Sequence, residues 1–239
     1  MQHFCLISLT RNMQLIKLIL QKTFPVMTGY LVLGIGFGIM MQDNGYGLPW
    51  VLTMSIFIYA GSMQYLGVSL LTGGASIIQT AIATLMVNAR HLFYGISMVD
   101  KYADAGKGKP YMIFALTDET YSLVCTGDVP EGVDTHKNNR MVSLFDHCYW
   151  VLGSAIGCML GAVLPFDTTG IDFSMTALFV TVFVQQWMDS KQHFPAICGV
   201  VVTALCLVIL GPDNFLIPSM ILITLALSLG RRFLEKEVS

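Results

Sequence analysis

Charge is what this sequence has least of. Only 12% of its 239 residues are Asp, Glu, Lys or Arg, about half of the ~25% typical of a soluble domain. So few charges cannot cover a water-facing surface of this size, so much of the surface must face lipid. The formal net charge of −2 gives no pull toward nucleic acid, and that partner class is set aside. Signature motifs are missing too. HExxH, GxSxG and GxxxxGK[ST] do not occur, which leaves metalloprotease, hydrolase and ATPase readings unsupported and any driven process dependent on an ion gradient or a separate energising partner. The six cysteines form no CxxC pair and four lie inside apolar runs. They read as small packing residues rather than disulfides or metal ligands, and no metal or other cofactor is expected. No cleavable signal peptide is expected either, because residues 1–10 lack a basic segment followed by a long apolar core.

Apolar residues make up 54% of the chain. A bilayer span takes about 20 of them in a row, and candidates lie at 24–41, 49–72, 74–99, 141–164, 173–188, 193–210 and 214–230. The stretch 111–126 is apolar but short, and it carries Asp118 and Glu119. Backbone groups facing lipid must be satisfied within their own segment. The expected fold is therefore an all-α membrane protein of about 7–8 transmembrane or re-entrant helical segments. Over 12–22, apolar residues recur at helical spacing with Lys17 and Gln21 opposite. This predicts an interfacial amphipathic helix within residues 1–23 that leads into the first span.

Basic residues suggest an orientation. Arg11, Lys17 and Lys22 place the N-terminus inside, and Arg231, Arg232 and Lys236 place the C-terminus inside. Eight crossings satisfy both, but then Lys101, Lys107 and Lys109 fall outside, against the rule. Making 111–126 re-entrant removes that conflict and puts the termini on opposite sides. The chain also shows signs of two related helical halves, 24–126 and 141–239, joined by the polar connector 127–140 and ending in a short basic tail. A shift of about 122 residues superposes TMSIFIYAGSMQ at 53–64 on MTALFVTVFVQQ at 175–186, and at nearly that shift Gly34 and Gly38 meet Gly157 and Gly161. The polar break at 88–91 then meets the one at 211–214, a pattern found in many secondary transporters.

The polar interruptions carry the chemistry. In NARHLFYG at 88–95, an arginine at membrane depth is costly unless it is paired or faces a cavity. Asn88, His91 and Gly95 would share one helix face while Arg90 projects elsewhere, able to pair with an acid; as an alternative, Arg90 snorkels to the interface. In TDETY at 117–121, two adjacent carboxylates cannot readily both ionise in a low-dielectric site. Thr117 and Asp118 would equally suit a helix N-cap, and the two roles are compatible. In AGSMQ at 60–64, Ser62 and Gln64 can bond across helices, and packing alone explains them about as well as ligand binding. Gly34, Gly36 and Gly38 lie in a span with no preceding strand, so they read as helix packing. Asp146 and His147 begin the segment 141–164 and would sit near the interface.

Together the Gly-rich first span, AGSMQ, NARHLFYG and TDETY resemble the AzlC-type branched-chain amino acid permeases of bacteria, over roughly residues 20–230. The resemblance implies export of leucine, isoleucine, valine and toxic analogues across the cytoplasmic membrane, by a multi-pass carrier rather than an enzyme. It also implies a small AzlD-type membrane subunit as partner, and proton coupling is the usual presumption. The substrate site is expected near mid-bilayer, at the junction of the half-chains. Arg90 would take the substrate carboxylate, Asp118 or Glu119 its ammonium, and Met63 and Phe93 its side chain. Asn88 and Gln64 would orient it, with Ser62 beside them. Asp118, Glu119 or His91 would carry the proton. A passive channel for small solutes is the main alternative; an intramembrane enzyme using His91 as base is the lesser one, since no nucleophile stands near it.

Overall fold

The computed structural model describes the backbone of residues 2–125, 127, 129, 133–163, 192–211 and 215–234, with isolated positions between 170 and 188. Side chains are described from Met13 onward, apart from those of Phe93, Leu216, Ile217, Met220 and 231–234. Among these residues every regular element is helical. The chain divides into two units, Met1–Met175 and Thr176–Ser239.

The first unit is organised by two long helices. α1 (Gln2–Asp43) is continuous over 42 residues, about 63 Å at 1.5 Å per residue. The amphipathic stretch 12–22 therefore runs without interruption into the apolar part of the helix. Of α1, Met13–Asp43 is long and apolar enough to cross a bilayer. The helix stops where Gly45 adopts φ 81° and Asn44 Nδ2 donates to the Met40 carbonyl at 2.8 Å. The other long helix is Thr135–Val163, the eighth in chain order (α8).

α1 and α8 meet along their glycines. A Cβ on Gly38 would lie 2.1 Å from the Ser154 carbonyl oxygen, and one on Gly157 would lie 2.1 Å from that of Ile35. Gly34 sits against Ser154, Gly153 against Leu31, and Gly161 against Ile39 and Gln42. Small residues four apart on both helices allow this backbone-to-backbone approach. Contacts advance in the same sense on both helices, so they run parallel. Leu31 lies against Gly153, Ile35 against Gly157 and Ile39 against Gly161, a constant offset of the kind parallel helices keep.

Shorter helices fill the space beside this pair. The stretch 49–72, read as one span, folds as α2 (Leu48–Phe57) and α3 (Gly61–Thr72). These are antiparallel, with Ser55 against Gln64 and Met54 against Gly67. The reversal falls at Tyr59, which takes φ 45°, followed by small residues at 60 and 61. The hairpin enters from the Asp43 end, turns at the level of Tyr30 and returns past Leu33, whose carbonyl accepts from the Tyr65 hydroxyl at 2.6 Å. Segment 74–99 is also two helices, α4 (Ile77–Val87), opened by a Ser76–Gln79 capping box, and α5 (Ala89–Met98), with Asn88 between them.

α6 (Lys109–Phe114) and α7 (Asp118–Val124) follow, separated by 115–117. α7 runs alongside α5 in the same direction. Arg90 meets Asp118, Tyr94 stacks on Tyr121 at 4.7 Å, and Lys101 Nζ donates to the Cys125 carbonyl. Met98, Tyr102, Met112 and Val124 bury together with Leu15 and Ile19 of α1 and Val142 of α8. The connector 99–108 and the end of α7 therefore lie at the end of the bundle where α1 and α8 begin. Gly108 lies against Arg140 there. The second unit contains α9 (Phe194–Leu210), ended by Gly211 at φ 77°, and α10 (Leu216–Leu234). The candidate span 173–188 and its alignment with 53–64 lie largely outside the described residues.

The crossing predicts a sharp contrast among glycines. Gly38→Ala and Gly157→Ala should each cost about 1–3 kcal/mol or more through overpacking. Gly29→Ala, where a Cβ meets nothing within 4 Å, should be neutral or stabilising by up to ~1 kcal/mol. Thermal unfolding in detergent checks this, and equal melting temperatures for the three variants would contradict the close crossing.

Candidate functional site

The three helix breaks converge beside the middle of α1 and α8. Ile58, Tyr59 and Ala60 from the first, Asn88 from the second and Leu116 from the third all line one cavity of about 390 Å³, with His91, Leu92, Ile113, Phe114 and Lys109 among its other walls. Broken helices at membrane depth are tolerated only where the freed backbone faces protein or a cavity, and this arrangement supplies both.

Next to the cavity lies a set of polar groups, with Arg90 and Asp118 only partly buried. Arg90 Nη1 pairs with Asp118 Oδ2 at 2.5 Å, and Arg90 Nη2 donates to Ser62 Oγ at 2.9 Å. Arg90 therefore turns inward rather than snorkelling. Asp118 Oδ1 and Asn88 Oδ1 are buried with no hydrogen-bond partner, which leaves two acceptors unsatisfied, one of them on the carboxylate that pairs with Arg90. Glu119 Oε2 accepts from the Tyr30 hydroxyl at 2.8 Å. Thr117 caps α7 by accepting from the Thr120 N–H at 3.3 Å, so the capping role and the charged cluster coexist in the same turn.

The remaining expected residues divide between cavity and core. His91 borders the cavity, its Nδ1 3.2 Å from the Asn88 carbonyl oxygen and its ring edge-on to Tyr94. Gln64 is fully buried and held on both sides, accepting from Trp150 Nε1 at 2.9 Å and donating to Ser55 Oγ at 3.3 Å. Met63 is buried in α3. The Phe93 side chain lies outside the described residues.

Several neighbours carried no strong signal in the sequence. Asp146, expected near the interface, is fully buried and accepts from the Thr120 hydroxyl at 2.8 Å. α8 begins at Thr135, so position 146 is already three turns deep. His147 bridges the Tyr111 hydroxyl at 3.1 Å and the Ser55 carbonyl at 3.2 Å, and its ring lies against Tyr59 at 4.3 Å. Trp150 covers Gly61, where a Cβ would come within 3.0 Å of the indole.

The helices surround an ion pair and a carboxylate, and among the described residues one of them, α1, is long and apolar enough to cross a membrane. Residues 25–164 match the AzlC protein family, more than half of the chain, and the chain belongs to that family. It is 44% identical over 218 residues to the branched-chain amino acid transport protein AzlC of Bacillus subtilis, covering 91% of this chain and 86% of that one. An uncharacterized membrane protein of Haemophilus influenzae is 40% identical, with 90% and 88% covered. The inner membrane protein YgaZ of Escherichia coli is 24% identical, with 84% and 83% covered. No solved structure matches the chain.

The ion pair predicts strong coupling. Arg90→Gln or Asp118→Asn alone should destabilise the fold, and the double variant should recover part of the loss, giving an interaction energy of about 1–3 kcal/mol in a thermal double-mutant cycle. Additive losses would show that the pair contributes nothing as a pair.

Proposed function

We propose that this protein exports branched-chain amino acids across the bacterial cytoplasmic membrane by proton-coupled secondary transport, together with a small AzlD-type membrane subunit. The observation that carries this reading is the Arg90–Asp118 pair at the convergence of three helix breaks. A zwitterion inserted into an ion pair leaves the buried net charge unchanged, since its carboxylate faces Arg90 and its ammonium faces Asp118 Oδ1 and Asn88 Oδ1. Each charge stays compensated, which avoids the cost of an unpaired ion in a low-dielectric interior. The aliphatic side chain enters the adjacent cavity against Leu92, Ile113 and Phe114. Cavities of 300–1,000 Å³ suit small molecules of this class. Leucine, isoleucine and valine differ there by only about 1–3 kcal/mol, because a methylene in an apolar pocket is worth no more. The Bacillus subtilis relative, a branched-chain amino acid transport protein, supports the substrate class.

In this reading the α2–α3 and α6–α7 hairpins are re-entrant from opposite faces, while α1, the α4–α5 segment and α8 cross. Parallel α1 and α8 require an odd number of crossings between them, and this topology provides one. It also places Lys101, Lys107 and Lys109 on the same side as Lys17 and Lys22, in keeping with the positive-inside rule. A cysteine at Lys107 should then react with an impermeant thiol reagent only after cells are opened, and one at Asn44 in intact cells; the reverse pattern would rule this topology out.

Efflux of preloaded radiolabelled leucine, isoleucine and valine, with and without the small subunit and a protonophore, tests the function. Asp118→Asn combined with Glu119→Gln should abolish gradient-driven efflux, and wild-type rates in that variant would refute the reading. Flux indifferent to the protonophore would indicate a passive channel.

A further inference from the structure

Two carboxyls, the half-buried Glu119 and the buried Asp146, are joined by an unbroken chain of hydroxyls. From Glu119 Oε2 the contacts run to the Tyr30 hydroxyl (2.8 Å), to Thr117 Oγ1 (2.6 Å), to Thr120 Oγ1 (3.1 Å) and to Asp146 Oδ2 (2.8 Å). The chain ties α1, α7 and α8 together. Tyr30, Thr117, Thr120 and Asp146 are all buried. Around it lie other ionisable groups: Tyr59 from the α2–α3 turn, Tyr111 from α6, His147 from α8 and the Arg90–Asp118 pair.

Counting hydrogens decides how this chain can exist. It has four oxygen–oxygen contacts at hydrogen-bonding distance, and each needs one hydrogen. Three hydroxyls supply three, since an ionised carboxylate only accepts. With both carboxyls ionised, one of the four contacts would be left without a hydrogen. One added proton closes the count. It can sit on Glu119, with every hydroxyl then donating toward Asp146, or on Asp146, with every hydroxyl donating toward Glu119. The two arrangements interconvert when each hydroxyl passes its own proton on and accepts its neighbour's. No bond other than O–H is made or broken, and the total charge is unchanged.

We infer that Glu119 and Asp146 hold a single proton between them and exchange it through Tyr30, Thr117 and Thr120, making Asp146 a proton-carrying residue of the transport cycle. Glu119 adjoins Asp118 of the proposed substrate site, so substrate binding there biases which end of the chain holds the proton. Asp146 Oδ1 is buried without a hydrogen-bond partner, and Tyr59, whose hydroxyl lies beside Tyr30 and Thr120, walls the cavity. The cavity is thus a route by which the Asp146 end exchanges its proton with water. The role in coupling rests on the transport reading above, whereas the shared proton does not depend on it.

Infrared spectroscopy of the purified protein in lipid at neutral pH tests the shared proton by the C=O stretch of a protonated carboxyl. Wild type should show this band. Glu119→Gln and Asp146→Asn should each abolish it, because the new amide N–H supplies the fourth hydrogen and the surviving carboxyl ionises. Absence of the band in wild type, or its persistence in either variant, overturns the inference. In proteoliposomes, Thr120→Val should lower leucine-driven proton movement relative to leucine counterflow on the order of tenfold or more, while Thr120→Ser, which keeps the hydroxyl, should retain it. An unchanged ratio in Thr120→Val overturns the coupling role. If wild type shows no leucine counterflow yet the infrared pattern holds, the transport reading fails and the shared proton stands.

Discussion

Everything in the first unit depends on two backbones touching. At Gly38 and Gly157 the approach of α1 to α8 leaves no room for a methyl group. In lipid, where apolar side chains gain little by leaving their solvent, such contact is a principal source of helix association. It fixes the two helices in parallel and in register, and so sets Tyr30 beside Trp150, 5.6 Å between ring centres. The hairpins then take their depth from that aromatic layer. Tyr59 meets Tyr30 edge-on, Gly61 seats under Trp150, and Gln64 bonds the indole nitrogen. A looser crossing would misplace the ion pair as well, because Ser62 positions the Arg90 guanidinium.

Polar groups in the interior follow a consistent logic. The guanidinium is compensated by a carboxylate and a hydroxyl, Gln64 by a serine and an indole, and Asp146 by a threonine. Unsatisfied buried polar atoms at Asn88, Asp118 and Asp146 lie near the helix breaks, and others fall elsewhere, at Tyr102, His136 and His193.

Much of this was legible in the residues. The all-α membrane fold follows from 54% hydrophobic content and 12% charge, and the breaks at 88 and 115–117 are announced by polar residues inside apolar runs. Arg90 and the TDETY acids stood out because charge at membrane depth needs compensation. The hairpin at 58–60 was invisible for the opposite reason: an Ile-Tyr-Ala-Gly sequence carries no charge or proline, and the reversal depends on a tertiary contact that holds Tyr59 in an unusual conformation. The apolar run from 141 hides how deep Asp146 lies. The helix begins at Thr135, and the polar first turns that looked like a connector are buried at Asn138 and Asn139. The lysines at 101–109 oppose eight straight crossings, and the topology proposed above removes that conflict by letting two hairpins turn back.

Tyr59 sets a lower bound on an energy that no distance reveals. A left-handed backbone costs a residue with a Cβ roughly 1–2 kcal/mol, and glycine would occupy the same turn at no such cost. The chain nevertheless carries a large aromatic ring there, closed over His147 and facing the cavity. If the turn keeps this geometry, the ring must return at least what the backbone loses. Position 59 is therefore less a bend than a loaded joint, whose conformation holds only while its ring stays seated.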